Sequence, residues 1–238
     1  MKKILLTLIL VFTFFKIEAC SCGQTKIVNA YSILDFIGVI EFKTLTEIEN
    51  ANGIYQSTYK IKELFKGNSD ERIYVESLKG SSCEFIPEKN KEYLILGYKT
   101  KKGKIITSIC LANVNPSKNI LSILRYLSKE KIEQNISSNL RQIVKKEIDY
   151  TLFEKGIKGI FLYKVDLDSD LKIKTIIPQN ENAKNNFNEK IRGELKNKIY
   201  YQKNKKELKL KKEKLTSYII LNWEENYENE RILTTSKI

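Results

Sequence analysis

Histidine does not occur anywhere in this chain of 238 residues. Its absence excludes Ser-His-Asp and Cys-His catalysis, and it excludes zinc held by imidazole. An enzyme built from these residues would have to use carboxylates, lysine or tyrosine, and no spacing groups them into a catalytic set. The chain therefore reads as a non-enzyme with no cofactor and no metal of its own. Proline is also scarce, at three residues. Together with the richness in Lys, Ile and Asn, this resembles the composition of a low-GC bacterial genome. Long hydrophobic runs are missing beyond the first residues, so nothing after the leader has the roughly 20 apolar residues that a spanning helix needs.

The leader has the three-part form of an export signal. Lys2 and Lys3 supply the positive start, Ile4 to Phe15 the apolar run, and Lys16 to Ala19 the exit. A retained anchor is the competing reading, but the run is short for a bilayer. Residues 1–19 are thus expected to be removed, leaving a secreted or periplasmic chain that begins "CSCG" at Cys20. Hydrophobic content of 42% is enough to build real cores. The net charge is +13. Its densest run, "KNKKELKLKKEK" (203–214), has the charge to meet phosphates or anionic headgroups. Glu207 and Glu213 interrupt it and no aromatic stacking set accompanies it, so it reads as a solvated face and no nucleic-acid partner is expected.

Four cysteines, Cys20, Cys22, Cys83 and Cys110, lie in the first half of the chain. An even number in an exported protein points to two disulfides. A Cys20–Cys22 bridge is disfavoured by its strained ring. A four-thiolate zinc site competes, although such sites usually come as two CxxC-type pairs, and here 26 residues separate the last two cysteines. Bridges from the N-terminus to later strands would each close a long loop, worth about 4 kcal/mol in the chain-entropy model. They would also immobilise a terminus that normally frays.

Between Ile27 and Leu111 the pattern is of short strands at 35–42, 55–65, 71–78, 92–99 and 104–111, separated by "NANG", "KGNSD", "PEKN" and "KKG". Five strands at this spacing suit a small closed barrel or a sandwich. "NPSKNILSILRYLSKEKIEQ" (115–134) follows, with Ser117 as a candidate cap and Ile120, Leu121, Leu124 and Leu127 on one helical face. A boundary is expected near residue 135. Beyond it the periodicities give a helix at 137–153, a hairpin at 158–178, a helix at 185–201 through Phe187, Ile191, Leu195 and Ile199, and a strand at 216–225. Trp223 reads as core rather than a ligand contact.

Residues 20–127 resemble the N-terminal, inhibitory domain of the tissue inhibitors of metalloproteinases, netrin-like modules built on an OB-fold barrel. Six ordered motifs carry the resemblance: "CSC" (20–22), "AYSILDFIGVI" (30–40), "YKIKELFKG" (59–67), "SSC" (81–83), "KEYLILG" (91–97) and "GKIITSIC" (103–110). The resemblance implies an all-β five-stranded barrel with flanking helices over 20–134, and bridges Cys20–Cys83 and Cys22–Cys110. It implies that the free α-amine and carbonyl of Cys20 chelate the catalytic zinc of a target metallopeptidase. Ser21 would then point into the pocket beside that zinc, and Ser81 and Ser82 would touch the cleft. Ser32 stands where the family begins a third bridge, so this barrel should be less rigid near the end of its helical segment. The cysteine-rich second domain of the animal proteins is absent.

Residues 137–225, within a second domain spanning 135–238, more weakly resemble the C-terminal domain of the bacterial energy transducer TonB, through "GIKGIFLYKVDLDSDLKIKTI" and the order helix, strand, strand, helix, strand. That resemblance implies a small α+β module able to take an envelope protein or an extended peptide at a sheet edge. A rival reading of the same leader is a lipoprotein: lipidation also leaves a cysteine first, and membrane attachment would follow only from an acylated Cys20. Ile17 and Ala19 fit both routes, whereas Glu18 is unusual in a lipidation box. The function expected is inhibition of a zinc peptidase, with a lipid-anchored or soluble envelope binding module as the alternative.

Overall fold

A computed structural model describes residues 20–22, 27–129, 140–145, 148–153, 159–203, 215–225 and 231–235. The leader, the boundary near 135, the side chain of Trp223 and all of the basic run after Lys203 lie outside the described residues. Among the described residues no helix is long and apolar enough to cross a membrane.

The first half is a closed barrel. Helix α1 (Ile27–Ile33) precedes strands β1 (Phe36–Glu47), β2 (Ile54–Lys66), β3 (Ile73–Glu76), β4 (Glu92–Lys99) and β5 (Ile105–Thr107). β1 pairs with both β2 and β4, and the circuit closes through β3 and β5, the one parallel pair in a ring otherwise antiparallel. β1 can serve two partners because its register with β2 shifts at three points along its length, the local kinks by which a strand coils around a barrel. Closure needs close backbone approach where β4 meets β5. A Cβ on Gly97 would fall 2.4 Å from the Ile105 side chain, so only glycine fits there. Phe36, Ile40, Phe42, Tyr55, Ile73, Val75, Tyr93, Ile95 and Ile105 fill the interior. Phe42 and Tyr93 meet edge to face at 5.7 Å, a favoured aromatic geometry.

The expected strand at 104–111 is shorter than its sequence pattern. β5 stops at Thr107, a 3-10 turn holds Ile109–Leu111, and β6 (Ala112–Val114) then adds to β4. Helix α2 (Lys118–Lys129) starts where Ser117 accepts the Ile120 N–H on its hydroxyl at 3.2 Å. It buries Leu124 and Leu127 as the periodicity requires, together with Ile123, while Ile120 and Leu121 are partly buried.

The second half departs from its expected order at several points. Residues 140–144 form strand β7 (Leu140–Val144), not part of a helix. "LRQIV" is short enough to satisfy either period, and the pairing decides it. β7 runs antiparallel to β10 (Ile199–Lys203), from Leu140 opposite Lys203 to Val144 opposite Ile199, and buries Leu140 and Gln142 on one face. The expected hairpin is present as β8 (Ile160–Leu167) and β9 (Ile173–Pro178). The expected helix at 185–201 is divided. Asn180 caps α3 (Glu181–Asn186) and Asn188 caps α4 (Glu189–Lys198), each side chain accepting a backbone N–H three residues on. An Asx side chain in this role offers a new start, so Phe187 lies between two helices and Ile199 opens β10. β11 (Leu215–Glu225) sits beside β8, and an unforeseen β12 (Arg231–Thr235) completes the order β12-β11-β8-β9.

Both faces of the β8–β11 pair are covered. Phe161, Tyr163, Val165, Ile219 and Leu221 pack with Ile191 and Leu195 of α4. The alternate residues, Leu162, Tyr218 and Ile220, join Ile27, Val28, Tyr31, Ile123, Leu124 and Leu127 of α1 and α2 in a single cluster with barrel residues Ile37, Val39 and Leu96. The two halves of the chain therefore share a core, with α1 between them.

Candidate functional site

Cys20, Ser21 and Cys22 are held on the barrel by two bridges, Cys20–Cys83 and Cys22–Cys110, with Cα–Cα separations of 5.0 and 5.2 Å. The bridges lie side by side: the sulfurs of Cys20, Cys22 and Cys110 are all within 4.8 Å of one another. Cys20 and Cys83 are half-buried, whereas Ser21, Cys22 and Cys110 are exposed. Only four residues separate Cys22 from α1, so the anchor points of the terminus and the helix at the shared core are close in sequence.

The segment presenting Cys83 is a compact turn between β3 and β4. Gly80 has φ of 70°, a left-handed value that suits glycine. Ser81 donates its hydroxyl to the Leu78 carbonyl at 2.7 Å and accepts the Cys83 N–H at 3.1 Å. The Glu84 N–H donates to the Ser81 carbonyl at 3.0 Å, and the Glu84 carboxylate accepts the Gly80 N–H at 3.1 Å. Below the turn, buried Ser77 accepts the Phe85 N–H on its hydroxyl at 2.8 Å. Ser81 is thus exposed but engaged within its own turn, and Ser82 beside it is exposed.

A second strap ties this turn to the β1–β2 connection. Lys79 lies 2.6 Å from the Glu47 carboxylate and over the Tyr55 ring at 5.8 Å. Glu47 also accepts the Gly53 N–H at 3.2 Å. These contacts, led by the Lys79 hydrogen bond, hold the Glu47 carboxyl below its ordinary range. Gly53 is required in turn, because it has φ of 75° and a Cβ there would strike the Ser77 carbonyl at 2.1 Å.

Cys110 sits in the 3-10 turn after β5, closed by the Leu111 N–H donating to the Ser108 carbonyl at 2.9 Å. Of the residues singled out in the sequence, the structure joins Cys20 to Cys83 and Cys22 to Cys110. It places Ser21 on the exposed link between the bridges, and Ser81 and Ser82 on the turn just before Cys83. Sequence reasoning passed over Leu78 and Ile86, which are 58% and 50% exposed on either side of that turn. Two large apolar residues bracketing "KGSSCEF", a stretch otherwise rich in loop formers, were the available signal. No family model matches the chain, and no curated protein matches it.

Proposed function

We propose that the exported chain, cleaved after Ala19, is a metallopeptidase inhibitor of the netrin-like kind, with its barrel read as an OB-fold. The α-amine and carbonyl oxygen of Cys20 are its working groups. A catalytic zinc keeps one position open for water. An amine and carbonyl on the same residue close a five-membered ring on that metal and displace the water. The α-amine, with an ordinary pKa of about 7.7 to 8.0, gives up its proton to a metal readily. Ser21 then enters the adjoining pocket, with Ser82 and the exposed Leu78 and Ile86 as the surrounding contacts.

The observation that carries this reading is the pair of adjacent bridges at residues 20 and 22. They supply a ligand that is immobilised before it meets its target, which reduces the ordering cost of binding. The Cys20–Cys83 bridge also favours a free terminus over a lipidated one. A thioether on Cys20 would break that bridge and leave Cys83 as an odd thiol.

The test is inhibition of purified zinc endopeptidases by mature protein, alongside the same protein with one alanine added ahead of Cys20. The extension removes the free amine from the chelating position, so inhibition should fall sharply. Equal potency of the two forms would refute the mechanism. Intact mass separates the alternative, since an envelope lipoprotein carries added acyl mass, whereas the inhibitor starts at Cys20 and is lighter by four hydrogens.

A further inference from the structure

We infer that the four sulfurs clamping the N-terminus form, once reduced, a four-thiolate site for a soft tetrahedral cation of the zinc class. Three of them, on Cys20, Cys22 and Cys110, already lie within 4.8 Å of one another, and the fourth, on Cys83, is the bonded partner of Cys20. A zinc–sulfur bond of about 2.3 Å places the sulfurs of a tetrahedral site about 3.8 Å apart. In the oxidised chain these sulfurs are bonded in pairs, Cys22 with Cys110 and Cys20 with Cys83, so reduction lets each pair part toward that spacing while the Cys83 sulfur swings in from outside the group of three. The ligands arise from three separate places, the N-terminal link, the β3–β4 turn and the 3-10 turn after β5. The site is therefore specified by the fold and not by a local CxxC pair.

The donor set selects the metal. The group contains only cysteines. All-thiolate coordination suits zinc and other soft ions and excludes calcium and magnesium, which take oxygen. Access is open, because Cys22 and Cys110 are exposed. The chemistry balances with a dithiol as reductant. For each bridge the dithiol passes two electrons and two protons to the sulfurs, giving two cysteine thiols and the dithiol's own cyclic disulfide. One divalent zinc then displaces four thiol protons, and the resulting double negative charge is carried by a strongly basic chain, whose full sequence has a net charge of +13. The clamp changes from covalent to coordinate and the terminus stays fixed. This inference is independent of peptidase inhibition, since it concerns a metal held by the chain itself.

Mature protein beginning at Cys20 would be reduced with dithiothreitol without oxygen, desalted, and titrated with zinc against a chromophoric chelator. Native mass and alkylation would follow the product. The expected result is one zinc per reduced chain with all four cysteines protected from alkylation. Uptake should be absent in the oxidised chain and tight binding lost in Cys83→Ser and in Cys110→Ser. Far-UV circular dichroism of the zinc-loaded reduced chain should match that of the oxidised protein. The inference fails if the reduced chain takes no zinc or if the oxidised chain takes as much. It fails equally if either serine variant binds undiminished, or if zinc binds without the strand signal being kept or restored.

Discussion

Tyr31 of α1 donates its hydroxyl to the Phe65 carbonyl of β2 at 3.0 Å, while Lys66 donates back to the Tyr31 carbonyl at 2.6 Å and lies over its ring at 5.4 Å. The helix is bolted to the barrel on one side and covered by the β8–β11 sheet on the other. Ser32, which stands where the resemblance called for a bridging cysteine, instead donates to the Asn29 carbonyl within the helix at 2.9 Å. Packing from the second half, through Leu162, Tyr218 and Ile220, thus helps brace α1. Tyr31→Phe should remove the buried donor and cost about 0.5–1.5 kcal/mol, read as a lowered urea midpoint with unchanged slope.

The shared cluster makes a stronger prediction about cooperativity. Leu162 belongs to β8 and Leu127 to α2, and both are fully buried in it. Leu162→Ala and Leu127→Ala should each cost about 2–5 kcal/mol, the range for truncating a core leucine. Each should lower a single transition observed by both far-UV circular dichroism and tyrosine fluorescence. Two separate transitions, with only one of them shifted by a given variant, would show that the halves unfold independently.

Glu41 on β1 accepts hydrogen bonds from Lys43 and from Lys62, the latter at 2.7 Å. The Lys43 hydrogen bond foremost, then that of Lys62, lowers its carboxyl from the ordinary 4.5 to about 2. A carboxylate depressed by folding stabilises the native state fully above its unfolded pKa, and that contribution is lost as pH falls through the folded one. Stability should therefore decline between about pH 4.5 and 2, and Glu41→Gln should flatten that part of the profile. Denaturant melts at several pH values check it.

The Cys22–Cys110 bridge closes a separation of 88 residues. The chain-entropy model gives about 4.5 kcal/mol for a loop of that size. The double variant Cys22→Ser with Cys110→Ser, which leaves no odd thiol, should lose stability of that order under chemical denaturation. Peptide mapping of the parent without reduction should recover Cys20 with Cys83 and Cys22 with Cys110.

What was legible in the sequence follows from how local each signal is. Strands β1 to β4 stood out because Val, Ile and aromatic runs are punctuated by Gly, Asn and Asp turns that admit few other readings. α2 was legible through its cap at Ser117 and the spacing of Leu124 and Leu127. The disulfide pairing was implied by motif order and not by composition. β7 was missed because five residues carry too little period to separate helix from strand, and its partner, Ile199, begins 55 residues after Val144 ends it. The break at Phe187 was missed because the apolar spacing runs unbroken from Phe187 to Ile199, and only the Asn188 cap starts a new helix there. The joint core was invisible for a related reason, since Tyr31 and Ile220 join one cluster only through tertiary packing. At the N-terminal site, the sequence named Ser81 for its position but could not show that its hydroxyl is occupied within the turn.

That last point separates two serines treated alike in the sequence. Ser21 is exposed on the link between the bridges, so Ser21→Ala should leave stability within about 0.5 kcal/mol, as for most surface changes. Ser81 supports Leu78 and Cys83 through both sides of its hydroxyl. Ser81→Ala removes both contacts and should cost about 1 kcal/mol, with faster reduction of the Cys20–Cys83 bridge as the turn loosens. In the proposed inhibitor, a larger residue at 21 should change potency among zinc peptidases with pockets of different depth while the melting temperature stays put. If substitutions at 21 shift the melting temperature instead and leave every potency unchanged, Ser21 is only a spacer and the chelating wedge loses its specificity element.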